Sequence, residues 1–316
     1  MKRKWFLALA ILINGCCCWS VSCAKDGFSG GSGIVSIPDK TVQPKAFSTP
    51  DPSIPEGWVL FPSPKENSAA RDCANRAIEN ERKIENENGN VKISKYVYKD
   101  DEQTNKLPAE LRKQILRNRN LGQGLGGYLH IERYENGWLI GSDAGEWGGK
   151  LFWFSETGNL KTELLKDNIR GIAATGGEVF ILSGMAHGGI DDGKIYKLTK
   201  DEQGNLKIRL INDLKTQPQA YTVENNQSIL IVLNNRILRL KTTGEIETLK
   251  EVNFNSLYPN STAVSSAGVI YIGMRLFIVR LVPGENGYAE EWLVAPNCQS
   301  FVEKDYRCVC QSDKTK

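Results

Sequence analysis

Between Gly137 and Leu281 one pattern returns four times: a turn residue, a short apolar run, a polar connector and a second apolar run. The copies read GWLIGS…KLFWFSETG, GEVFILS…KIYKLTKDEQG, QSILIVL…RILRLKTTG and GVIYIGM…FIVRLVPGENG. A unit of this kind cannot bury both of its own faces, so copies must stack side by side. Aligned on Leu139, Val179, Ile229 and Val269, the copies step by 40, 50 and 40 residues. That spacing is close to the roughly 40 to 45 residues of a four-stranded blade module.

Each copy has a further strand candidate on either side. YLHIERY at 128–134, IRGIAA at 169–174, AYTV at 220–223 and STAV at 261–264 precede the copies as innermost strands. LKTELL from Leu160, LKIRLI from Leu206, EIETL from Glu245 and AEEWLV from Ala289 follow them as outer strands. The runs are short, rich in Val, Ile, Phe, Tyr and Trp, and bounded by Gly, Asn and Asp, which marks strands and not helices. The expected fold is all-β: a β-propeller of four recognisable four-stranded blades, with an irregular β-sandwich as its competitor. EGWVLFP from Glu56 and VKISKYVY from Val91 read as strands, SAARDCANRAIENERKI at 68–84 as a short N-terminal helix with Ser68 as its N-cap, and SFVEKDYRCVC as a short hairpin. Closure removes exposed sheet edges, so the two termini are expected to meet in a fifth, irregular blade.

Residues 1–24 have the layout of an export signal: Lys2, Arg3 and Lys4, an apolar core from Trp5 to Ile13, then small residues and cysteines. Ile13-Asn14-Gly15-Cys16 is similar to a bacterial lipobox and makes Cys16 the candidate lipidation site; Ser22-Cys23-Ala24 is a competing site for ordinary signal cleavage. The apolar core is shorter than the roughly 20 residues of a membrane-spanning helix. A Gly/Ser/Pro-rich tether is expected over 25–55, an α+β segment over 56–127, the repeats over 128–298 and a Cys-containing tail over 299–316. The expected location is the bacterial cell envelope, lipid-anchored, with a periplasmic or secreted protein as the alternative. Removing the leader takes the net charge from +3 to about zero, and no basic tract remains for nucleic acid.

Four of the eight cysteines lie outside the leader: Cys73, Cys298, Cys308 and Cys310. An exported chain favours disulfides over a zinc site. The expectation is one bridge from Cys298 to Cys308 or Cys310 and one from the remaining tail cysteine to Cys73, closing a loop of more than 200 residues. The chain-entropy model gives such a loop a stabilisation on the order of 5 kcal/mol.

The connectors between the two central strands differ among the copies. The first two are long and Gly-rich, Ser142–Gly149 and Gly184–Gly193, and the last two are tight. Equivalent loops of successive blades emerge on one face, which brings Asp143, Glu146, Trp147, His187, Asp191 and Asp192 to a common rim. The carboxylates there suit a hard cation such as Ca²⁺, Trp147 and Met185 suit a binding surface, and plain Asp-Gly turns are the third reading. Of the two histidines, His130 reads as a packed or exposed strand residue, and His187 has the better setting but no visible nucleophilic partner. G-x-S-x-G occurs as Gly27–Gly31, within the Gly/Ser-rich tether, and G-x-G-x-x-G as Gly122–Gly127, leading into a strand candidate, so neither has the strand-to-helix setting of a nucleophile elbow or dinucleotide fingerprint; no H-E-x-x-H or phosphate loop is present.

The repeat pattern, with its DAGEWGG, GMAH and LYPNS…GVIYIGMR segments, resembles bacterial exported propellers of the YVTN and NHL-like kind, which implies fold and envelope location but no reaction. Pro259-Asn260-Ser261 before TAVSSAGVIYIG resembles the strand entry of gluconolactonase and strictosidine-synthase-like propellers. That resemblance implies a central metal ion with Asn260 as a ligand; the other inner-strand starts offer Asn168, Gln219 and His130. The reading of the whole chain is a non-enzymatic binding module without a cofactor, engaging a protein or glycan of the cell envelope. A metal-dependent lactonase or esterase is the alternative.

Overall fold

The computed structural model describes residues 54, 57–61, 81–87, 90–97, 102–120 and 125–295. In chain order these form β1 (Val59–Phe61), the hairpin β2 (Arg82–Glu87) and β3 (Asn90–Lys95), a 3-10 turn Glu102–Lys106 and an α-helix Ala109–Asn120. The first blade follows as β4 (Tyr128–Tyr134), β5 (Gly137–Asp143), β6 (Leu151–Ser155) and β7 (Lys161–Leu165). The second comprises β8 (Ile169–Thr175), β9 (Glu178–His187), β10 (Ile190–Lys200) and β11 (Leu206–Asp213). The third comprises β12 (Ala220–Glu224), β13 (Ser228–Val232), β14 (Arg236–Lys241) and β15 (Ile246–Glu251). The fourth comprises β16 (Ser261–Val264), β17 (Ile270–Gly273), β18 (Ile278–Gly284) and β19 (Gly287–Val294). Each blade is an antiparallel meander in sequence order, and β1 adds a fifth strand to the fourth blade by pairing with β19. The chain is thus all-β with four propeller blades.

Alternation along the central strands explains the stacking. In β5, Leu139 packs with Ile169, Ile172, Val179 and Ile181 of the second blade, while Trp138 and Ile140 point the other way, onto Leu107, Leu111 and Ile115. Successive side chains point to opposite faces of a sheet, so a strand buried on both faces reads as a continuous apolar run. The next layer joins Phe180, Leu182 and Ile195 to Ile229, Ile231 and Leu238, and the last joins Leu230, Val232 and Ile237 to Tyr271, Ile272 and Val279. Burying one such side chain contributes about 1.5–3 kcal/mol.

Near the axis the blades converge closely. A Cβ on Gly141 would lie 2.5 Å from Ile169, and one on Gly171 would lie 2.2 Å from the ring of Tyr221. The Tyr221 hydroxyl spans that approach, donating to the carbonyl of Ile172 at 3.1 Å and accepting from its N–H at 3.3 Å. Burial pushes this phenol up to about 12, so it stays a neutral hydroxyl.

The two outer faces of the series are covered by the N-terminal segment. The helix Ala109–Asn120 covers the first blade, and β2 lies along β16 and β17 of the fourth. The helix expected over 68–84 is corrected at its end, because Arg82–Ile84 belong to β2. The reason is alternation: Ile84 is buried against the fourth blade, Arg82 stacks over Trp58 at 5.6 Å, and Lys83 and Glu85 face outward as an ion pair. Among the described residues the N-terminal segment thus contributes a two-stranded hairpin at one end of the series and a helix at the other. Cys16, Cys73, Cys298, Cys308 and Cys310, residues 68–80 and the C-terminal hairpin expected over 300–310 lie outside the described residues.

Replacing Tyr221 by Phe removes the strut between the second and third blades and leaves backbone groups of Ile172 without their partner. Urea denaturation is expected to show a loss of about 1–2 kcal/mol in unfolding free energy with an unchanged slope.

Candidate functional site

A cleft of about 560 Å³ opens between the first two blades. One wall is the connector after β5, where Gly145–Trp147 form a single 3-10 turn. Gly145, at φ 58°, and Gly148, at φ 78°, supply the left-handed conformations that fold the connector back on itself. One turn of helix has little surface on which to lay a side chain, and Trp147 stands 83% exposed.

The other wall is the end of β9. The connector expected as a long loop over 184–193 is instead a β-hairpin arm: β9 and β10 stay in register through Gly184↔Gly193, Met185↔Asp192, Ala186↔Asp191 and His187↔Ile190. Its turn is only Gly188-Gly189, with φ of 58° and 86°, the backbone required by a tight two-residue hairpin.

The floor is held by buried polar groups. Asp143 is 6% exposed; its Oδ1 accepts the N–H of Gly145 at 3.0 Å and its Oδ2 accepts Nη1 of Arg170 from β8. Arg170 Nε donates to the carbonyl of Pro218 at 3.3 Å, which ties the third blade's approach to the same floor. Asn168 crosses from wall to wall: its Nδ2 donates to the carbonyl of Gly145 at 2.8 Å, and its own carbonyl accepts the N–H of Gly184 at 3.0 Å. Over the mouth, Nε2 of His187 lies 3.2 Å from Oε1 of Glu146, an exposed pair linking the two walls.

The rim residues read from the sequence divide into two groups. Asp143, Glu146, Trp147 and His187 line the cleft together with Met185. Asp191 and Asp192 are turned elsewhere: Asp191 accepts the N–H of Gln217 at 2.7 Å, and Asp192 accepts Nζ of Lys194 at 2.6 Å. Arg170, Tyr128 and Gln217 also line the cleft and were not read as site residues. The signal for Arg170 was a single cation inside the apolar inner strand IRGIAA. Asn260 lies at the far blade, where its Oδ1 accepts the hydroxyl of Ser261 at 2.6 Å and Ser261 Oγ accepts the N–H of Ile84 at 2.8 Å. That relay holds β2 against β16. Among the described residues no group of three or more His, Cys, Asp or Glu gathers as a metal site.

His130 in β4 is partly buried beside this floor, and desolvation first, then the Arg170 charge, depress it from the ordinary 6.5 to about 4. It is a neutral imidazole at physiological pH.

No protein-family model matches the chain, and no curated protein matches it in sequence. Among solved structures the chain is similar to virginiamycin B lyase from Staphylococcus aureus, at 19% identity and a TM-score of 0.37 over 51% of this chain and 54% of the lyase. It is also similar to regucalcin, a calcium-binding protein from Agrobacterium tumefaciens, at 18% identity and a TM-score of 0.35 over 52% of this chain and 58% of regucalcin. The extracellular domain of a hybrid two component system from B. thetaiotaomicron matches at 10% identity and a TM-score of 0.38, over 51% of this chain and 21% of its own. The chain spans only part of each of these proteins, and the assignment of the blades rests on the strand order itself.

The unfolded chain takes up a proton at His130 near pH 6.5 and the folded chain only near 4, so the unfolded state binds more protons between those values. Stability from this residue is full above 6.5 and falls as pH drops towards 4. Comparing His130→Gln with the parent by urea denaturation at about pH 7 and about pH 4.5 is expected to show a smaller acid loss in the variant, by up to on the order of 2 kcal/mol.

Proposed function

We propose that the protein is an exported propeller, tethered at the cell envelope, that works as a non-enzymatic binding module through the cleft between its first two blades. The observation that carries this reading is Trp147, 83% exposed beside Tyr128 at 52%, both set on a floor fixed by the Asp143–Arg170 pair. Large aromatic side chains in water at a rigid, polar-bordered concavity are the anchors from which recognition surfaces draw most of their energy. Recognition elements carried on connectors of a rigid scaffold follow the same logic. The leader pattern and Cys16 supply the expectation of export and lipid anchoring. No helix among the described residues is long and apolar enough to cross a membrane.

The lactonase reading draws on Asn260, whose side-chain oxygen is engaged by Ser261 in the relay to β2. It gains no support from that placement, and a metal analysis with a lactone-hydrolysis screen is the measurement that would revive it.

Trp147→Ala and His187→Ala remove exposed side chains, so each is expected to leave stability within about 0.5 kcal/mol of the parent. Capture of a partner from a native envelope extract by the mature, lipid-free protein is expected to fall by roughly tenfold or more for Trp147→Ala. Unchanged capture by both variants contradicts the proposal.

A further inference from the structure

β9 runs on beyond its inner partner. Its pairing with β8 ends at Ser183, opposite Ile169, whereas its pairing with β10 continues to His187. In an antiparallel pair, the backbone groups of successive residues face alternately toward the partner strand and away from it. Gly184 sets the phase, because its N–H donates to Asn168, on the side away from β10. Two residues on, Ala186 has the same phase, so its N–H and C=O also face away from β10, toward the cleft that it lines.

The two edges of the arm are treated differently. On the β10 side, the N–H of Leu214 donates to the carbonyl of Gly193 at 2.7 Å, and Asp191 holds the N–H of Gln217, so the chain after β11 covers that edge. On the β9 side, among the described residues, no hydrogen bond reaches the backbone of the exposed Ala186. An open strand edge is a template for another strand, and proteins usually blunt or cover such edges. Here one edge is covered; on the other, Gln217 Nε2 donates to the carbonyl of Gly184 at 3.3 Å, and the edge beyond it, at Ala186, forms the wall of a cleft with an exposed tryptophan opposite.

Resting on the binding reading above and naming its partner, we infer that this edge receives an extended peptide segment of another protein, added as a short strand beside Met185–His187. Main-chain bonds to Ala186 would fix its direction, and alternate side chains would enter the cleft between Trp147, Tyr128 and Met185. Charge narrows the class. Arg170 is already balanced by Asp143, and Glu146 on the rim adds a negative group beside His187, so the cleft suits a neutral or basic segment and disfavours an acidic one.

The test uses a phage-displayed library of random peptides selected against the full mature chain, with the enriched peptide then synthesised and titrated calorimetrically. Ala186→Pro deletes an N–H that no bond within the arm uses, at a strand edge that tolerates proline. It is expected to weaken the peptide by roughly tenfold or more with an unchanged melting temperature. Methylating the peptide's backbone nitrogens one at a time is expected to weaken binding at alternate positions only, and this readout stands even if the proline variant melts early. Failure to enrich any peptide, tolerance of methylation throughout, or binding of a well-folded Ala186→Pro at parent strength overturns the inference. If Trp147→Ala still abolishes capture from extract in that case, the cleft binds a partner by other chemistry, such as a glycan. If capture is also unaffected, the binding reading falls with it.

Discussion

Among the described residues the central strands of the four blades are apolar on both faces, and that constraint decides the rest of the structure. β5 is buried along its whole length, with Leu139 on one side and Trp138 and Ile140 on the other. A sheet with two such faces is stable only between two other layers, so the blades must stand in series and each end of the series needs a cover. The helix Ala109–Asn120 and the hairpin of β2 and β3 are those covers. Neither is a full blade, and each supplies only what its face requires: Leu111 and Ile115 at one end, Ile84 and Val91 at the other.

The cleft follows from the same stacking. Because β5 and β8 approach so closely that Gly141 leaves no room for a Cβ beside Ile169, their outer continuations can reach each other across a few ångströms. Asp143 and Arg170 meet there, and Asn168 bonds to both walls. Removing one member of a largely buried pair leaves an uncompensated charge, which is expensive, so the floor is fixed by electrostatics as firmly as the blades are by burial. The exposed parts, Trp147 and the end of the arm of β9 and β10, are thus set on a rigid base. Rigidity of that kind lowers the ordering cost of binding.

Much of this was legible from residues. The strand YLHIERY was readable to its ends because its neighbours are turn signals, and the proximity of the first two connectors followed from the repeat register. The arm was not legible, because Gly184, Gly188, Gly189, Gly193, Asp191 and Asp192 dilute the apolar pattern and each is a turn residue when taken locally. Only pairing between β9 and β10 makes strands of them. The helix Ala109–Asn120 buries Leu111 and Ile115, in line with Leu107 just before it at four-residue spacing, a weak stripe that tertiary burial against Phe152 and Phe154 strengthens. The hairpin of β2 and β3 had its signal in Asn88-Gly89 between two short runs, outweighed by the helix-forming Glu, Arg and Lys before it. Arg170 shows in the sequence only as a lone cation in an apolar strand, and its role is not readable there because its partner Asp143 lies in another blade.

The central claim is that recognition occurs at the cleft wall formed by the end of β9. Residue-resolved hydrogen exchange with and without the captured partner tests it most directly, since an amide that gains a strand partner exchanges more slowly. The account predicts slowed exchange at Ala186 and in the Gly145–Gly148 turn, with the tight connectors of the third and fourth blades unchanged. Protection centred on those third and fourth blade connectors, with Ala186 exchanging as fast as in the free protein, would contradict it.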